Sequence, residues 1–225
     1  MNDNTQNEIK IEFPVPEGSE TLFKEFNDDY TFNAIISSGI DKFFLFSDGY
    51  KNASLKLFAQ LEGDTCSADT IVYPLVFINR HFLELRLKEL ISGLNYVITH
   101  KYSFPNGHNL EFLWNTYKAL LSEVEDTKNT DIDGLAQVEK LILEFNNVDS
   151  SSFSFRYPVE TSSDRNPSLT IRHLDLQNFQ NTMIKLYNYF DSHSDMIFYL
   201  TDLTDEFIIT MRSEYEHEMR SYYGM

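Results

Sequence analysis

Cysteine occurs once in the chain, at Cys66, so no intrachain disulfide can staple the fold, and no feature beside that thiol favours its thiolate form. Glycine and proline are scarce, at 8 and 6 of 225 residues, which leaves too little turn material for a turn-dense all-β architecture. Basic residues are also few: 18 Lys and Arg stand against 35 Asp and Glu, a formal net charge of −17. Such a field repels phosphate backbones at long range, so a sequence-independent grip on nucleic acid over the whole surface is excluded, and only a small local cationic pocket is left for that purpose. The acidity serves solubility or, were it clustered on one face, mimicry of a nucleic acid. No run approaches the ~18–20 uninterrupted apolar residues of a membrane span. Residues 1–10 are polar and lack the basic and apolar regions of a signal peptide. Phosphate-binding glycine loops, the dinucleotide fingerprint, His-Glu-x-x-His, paired cysteines for zinc and a nucleophile elbow are all missing. The expectation is a reducing, cytoplasmic setting with no membrane, no cofactor and no resident metal.

What is present favours helix. The chain is 42% hydrophobic, with 19 Phe and 13 Tyr to supply large buried areas. The pattern predicts a mainly α protein: a helical bundle of about five to six helices over 48–225, behind an N-terminal extended arm over 1–47. In the arm, Pro14 and Pro16 bracket Val15, a short strand is expected at 9–13, and the aromatic stretch 23–46 has no assignable period. A first helix is expected over 48–61, stopped by Gly63 and Asp64. A long central helix follows over about 67–95, with Ser67 as N-cap and Pro74 in its second turn. After the turn signal Pro105-Asn106-Gly107, a third helix starts at His108 or Asn109 and runs to about Val124 on Leu110, Leu113, Trp114, Tyr117, Leu120 and Leu121. A fourth helix is expected over 135–145, a Ser-rich ordered loop over 149–167, and two further helices over 175–190 and 194–222.

The central helix is apolar in nearly every direction, as a helix packed on several sides should be. Arg80, Glu84 and Lys88 interrupt it at four-residue spacing, with His81 beside them, so the two successive pairs stand in ion-pairing register. Unpaired buried charge is very costly, which leaves a solvated edge, a satisfied internal network, or a cleft in which Arg and Lys meet an anion while His81 moves a proton. His108 is either a surface residue beside the third helix's cap or a partner reaching Arg80. Arg156, in Ser154-Phe155-Arg156-Tyr157-Pro158, is either tied to an acidic residue in an aromatic-anchored loop or part of a substrate contact with Glu84 and Lys88. In the last helix Glu214, His217 and Glu218 share a face and read as an ordinary polar surface.

Three segments taken in order, Asn79-Arg80-His81-Phe82-Leu83-Glu84-Leu85-Arg86-Leu87-Lys88-Glu89-Leu90-Ile91, Gly107-His108-Asn109-Leu110-Glu111-Phe112-Leu113-Trp114 and Ser154-Phe155-Arg156-Tyr157-Pro158, resemble a bacterial group of HEPN-like helical domains. The resemblance covers roughly residues 48–190. It implies a helical bundle, frequently a homodimer, in a superfamily with many metal-independent endoribonucleases of toxin and antiviral defence systems. In those members an Arg and a His four to six residues apart meet their copies across the dimer, and RNA or a nucleotide is the ligand. The central helix departs from that spacing, since His81 directly follows Arg80, and Arg156 and Arg172 lack it as well. Arg212 and His217 have it, in the last helix, with Ser213 where the family usually carries Asn, Asp or His. The resemblance thus nominates Arg80, His81 and His108, or Arg212 and His217, as catalytic. A non-catalytic module that forms a homodimer or binds a protein partner is the alternative.

Overall fold

The computed structural model describes residues 15–16, 18–24, 31, 33–39, 42–61, 67–124, 132–162 and 164–223. The expectations for Cys66, for Gly63 and Asp64 as a helix stop, and for a strand at 9–13 lie outside those residues. The chain divides into two compact units, Met1–Ser37 and Ser38–Met225. The described residues of the first unit are irregular, and Leu22, Phe23, Ile35 and Ile36 are almost fully exposed. The described residues of the second unit form a bundle of five helices: α1 Phe43–Leu61, α2 Ala68–Thr99, α3 Leu110–Val124, α4 Ile132–Val148 and α5 Leu176–Tyr223.

Helix α2 is the hub, packed against α1, α3 and α5, while α3 also packs on α4. It runs unbroken through Pro74, which sits near enough to the N-terminus that little of the hydrogen-bond ladder is lost. Ser67 precedes it without a side-chain capping bond. Its far end stops where His100 turns left-handed at φ 57° and donates its N–H to the Tyr96 carbonyl at 2.8 Å. From Leu75 to Leu94 it is buried on almost every side, and Phe82, Leu83, Leu87 and Ile91 meet Trp114 and Tyr117 of α3 and Tyr187 and Phe190 of α5 in one core.

Helix α1 starts at Phe43 rather than 48, because the aromatic run before Ser47 is already helical. Its buried residues Ser47, Ser54 and Leu61 recur every seven positions, and the two serines let the backbone approach α2 closely. Asn109 caps α3 by accepting the Phe112 N–H at 2.8 Å, and Asp175 caps α5 by accepting the Asn178 N–H at 2.9 Å.

The two helices expected over 175–190 and 194–222 are one. At 48 residues α5 is about 72 Å long, more than the bundle needs. The polar stretch Asp191-Ser192-His193-Ser194 reads as a break only when its partners are unknown. Asp191 and Ser194 are tied to α1 and α2, and Ser192 and His193 bond back to the Asn188 and Tyr189 carbonyls, so the helix stays closed. Between α4 and α5 the ordered loop 149–175 carries one antiparallel bridge, Val159 to Pro167.

Candidate functional site: a buried ion network on the second helix

The stripe on α2 is neither a solvated edge nor an open cleft. Arg80 is 0% exposed, and its guanidinium is ringed by acceptors from three elements. Nε donates to the Asp149 carbonyl at 2.8 Å, Nη1 to Glu84 at 3.1 Å, and Nη2 to the His108 carbonyl at 2.5 Å and the Ser150 carbonyl at 3.4 Å. The Asp149 carboxylate lies 3.8 Å away, close enough for attraction but not for a hydrogen bond. Its other oxygen accepts the Phe153 and Ser154 N–H groups at 2.7 and 3.1 Å, which fixes the start of the loop. One arginine therefore ties α2 to the start of α3 and to the exit from α4.

Glu84, 1% exposed, is the matching anion. Besides Arg80 it binds Lys88 Nζ at 2.9 Å and His108 Nδ1 at 2.7 Å. Burial pushes its carboxyl pKa up, but the hydrogen bonds from Lys88 and His108 outweigh burial and hold it below the usual carboxylate value. Arg80 is pulled down by burial and held up by Asp149 and Glu84.

His81 packs edge-on to Tyr50 at 4.6 Å and stacks with Phe77 at 5.9 Å between ring centroids. Burial drives its pKa down; Glu84 opposes this, and the neighbouring Lys88 and Arg80 charges add to it, so the ring is neutral at pH 7. Arg156 reaches the other partner of that stack, its guanidinium 5.5 Å from the Phe77 ring and 5.7 Å from Tyr157. Its Nε donates to the Ser152 carbonyl at 2.5 Å, and no acidic residue pairs with it among the described residues. Ser152 itself is left-handed, at φ 60°, in a tight turn that presents that carbonyl.

The structure thus brings Arg80, His81, Glu84, Lys88, His108 and Arg156 into one neighbourhood and leaves Arg212 and His217 apart. Arg212 lies on the outer half of α5, its side chain 80% exposed and paired with Glu216 at 3.3 Å, and His217 is exposed on the same stretch. Within the neighbourhood the His108 ring, 65% exposed, and the Arg156 side chain are exposed and His81 is half-buried, while Arg80, Glu84 and Lys88 are buried. An anion has no path to a guanidinium that is wholly buried and already surrounded by carbonyls and a carboxylate.

Two further polar networks hang on α2 and were not singled out in the sequence. Asn79 donates to Ser54 at 2.7 Å and accepts the Tyr187 hydroxyl, linking α1, α2 and α5; burial pushes Tyr187 up to about 12. Arg86, 0% exposed, reaches Glu89 at 3.0 Å and Asp191 at 3.0 Å, while Lys51 meets Asp191 at 2.6 Å and Ser194 joins Glu89 at 2.5 Å. The three-residue spacing of Arg86 and Glu89 was the available signal, masked by the apolar residues around it.

Among the described residues no group of three or more His, Cys, Asp or Glu is arranged to hold a metal ion, and no helix is long and apolar enough to cross a membrane. Compared with protein-family models, with curated proteins and with solved structures, the chain has no match.

Proposed function

We propose that this chain is a non-catalytic helical interaction module, its charged residues serving to lock helices together and its last helix serving to meet a protein. The observation that carries this reading is the complete burial of Arg80 among acceptors supplied by α2, α3 and the loop after α4. A catalytic arginine must present its donors to the substrate; this one spends them on the fold. The second support is α5. Its buried residues Gln180, Met183, Tyr187, Phe190, Ile197 and Thr201 fall on a register of alternating three- and four-residue steps. That register continues through Thr204, Ile208, Met211 and Tyr215, past the last buried residue, Thr201, until Glu218 interrupts it. An apolar seam that outlasts its own bundle suits a partner.

One observation favours the HEPN-like reading of an RNA- or nucleotide-handling enzyme: His108 is exposed, backed by Glu84 at 2.7 Å and near Lys88, a carboxylate–imidazole pair able to take up a proton. Incubating purified protein with RNA separates the two readings. The module reading expects no cleavage above the buffer blank at pH 6–8, and cleavage abolished by His108→Ala in a protein that still melts normally would replace it with the enzyme reading.

A further inference from the structure

At the base of the outer half of α5, a groove of about 460 Å³ opens between the start of α1, the end of α2 and the middle of α5. That volume lies within the range of about 300–1,000 Å³ typical of ligand-binding clefts. Its floor is apolar, formed by Phe43, Phe44, Leu90, Ile197 and Phe198, and Phe44 and Phe198 are 51% and 68% exposed. Its rim is acidic, with Asp195, Asp202 and Asp205 along one side of α5. Asp195 and Asp202 have no cationic partner among the described residues. The nearby buried cation, Arg86, is already matched to Glu89 and Asp191.

A second feature is independent of charge. Ser92 lines the groove, is 3% exposed, and its hydroxyl has no hydrogen-bond partner among the described residues. A serine inside a helix usually bonds back to a carbonyl one turn earlier, as Thr201 and Thr204 do on α5, so the wall of this groove carries an unmatched polar group behind its apolar floor.

The groove leads directly onto the exposed seam of α5, whose outer stretch over 202–223 carries Asp202, Asp205, Glu206, Glu214, Glu216 and Glu218 against Arg212 and Arg220. We infer that the groove and the outer half of α5 together bind a basic amphipathic helix of a partner protein, apolar face down and Lys or Arg toward the aspartate rim. Charge complementarity selects this occupant. A second copy would bring a chain of net charge −17 and an equally acidic α5. The chain's own Met1–Ser37 segment is also acidic, with eight Asp and Glu against Lys10 and Lys24. Helix-in-groove docking uses apolar anchors one helical turn apart, which the Phe44, Phe198 and Ile197 floor accepts, while the rim sets orientation and association rate.

The inference rests on the module reading and is tested apart from it. The probe is a designed helix of about 20 residues with Leu on one face and Lys on the other, titrated against the full chain by fluorescence anisotropy, beside the same peptide with Glu for Lys. The Lys peptide is expected to bind at least about tenfold tighter than the Glu peptide, and the combined variant Asp195→Asn/Asp202→Asn/Glu206→Gln, which spares Asp205 because it accepts the Tyr96 hydroxyl, to weaken it by about tenfold with an unchanged melting temperature. Phe198→Ala should weaken it as well, because it removes an exposed apolar contact from the floor. An equal loss from the same charge change on α3 and α4, Glu111→Gln/Glu123→Gln/Glu144→Gln, would reduce the binding to non-specific attraction and overturn the site. Equal binding of both peptides would overturn it too. So would dimerisation in sedimentation that Phe198→Ala abolishes while the peptide fails to bind, which assigns the face to a second copy. RNA cleavage dependent on His108 would remove the module reading without moving any of these titrations.

Discussion

At the scale of single residues, Glu84 and His81 are the groups through which pH acts on the fold. Glu84 is held below its ordinary value because the Lys88 and His108 hydrogen bonds outweigh burial, so the unfolded chain binds the proton first as pH falls. Its contribution is present above about pH 4.5 and is lost as pH drops through the folded value. His81 is lowered from 6.5 by burial, and again the unfolded chain is the better proton acceptor, so stability declines from pH 6.5 downward. The melting temperature is therefore expected to fall in two stages from pH 7 to pH 4. His81→Phe should remove the upper stage and leave the lower, read by thermal melts at half-unit pH steps; an unchanged upper stage would show that another group titrates there. At Asn79, which holds Ser54 and Tyr187 at once, Asn79→Ala leaves the Ser54 and Tyr187 hydroxyls without that partner and should cost about 2–4 kcal/mol in urea unfolding.

At the scale of elements, α5 divides into a half that folds the bundle and a half that leaves it. The seam positions Gln180, Met183, Tyr187, Phe190, Ile197 and Thr201 are buried, whereas Met211 and Tyr215 further along the seam are 49% and 62% exposed, and Phe207 and Ile209 beside it are 62% and 68% exposed. Tyr215→Asp combined with Met211→Asp should thus change stability by less than about 0.5 kcal/mol, yet abolish partner binding; a large drop in melting temperature would mean that the seam is already filled. The sequence made α3 and α4 legible because each carries its own apolar period, and α2 because its long apolar run is apolar in nearly every direction; Asn109 announced the cap of α3. It hid the continuity of α5, because Asp191 and Ser194 look like a break until Lys51, Arg86 and Glu89 are placed opposite them. The stripe Arg80–Glu84–Lys88 could be read as a register but not as buried or exposed. That depended on the Asp149 and His108 carbonyls, 69 and 28 residues away in sequence. The groove at Ser92 left no sequence signal, since an orphan hydroxyl is defined only by what surrounds it.

At the scale of the whole molecule, three polar networks radiate from one hub helix: Asn79 joins it to α1 and α5, Arg86 joins it to α5 and, through Asp191 and Lys51, to α1, and Arg80 joins it to the start of α3 and the loop after α4. Buried ion pairs add little net stability over apolar packing, but removing one partner leaves a charge stranded in low dielectric. They therefore fix which helix faces which, and their loss is felt across the bundle rather than locally. A catalytic stripe makes the opposite demand, since its residues can be removed with the fold intact. The direct test is equilibrium urea unfolding of Arg80→Ala and Glu84→Ala beside the unmodified protein. The account predicts that each loses about 3–5 kcal/mol, and that the pair replaced together by Met and Leu recovers most of it. Two variants as stable as the parent would contradict it.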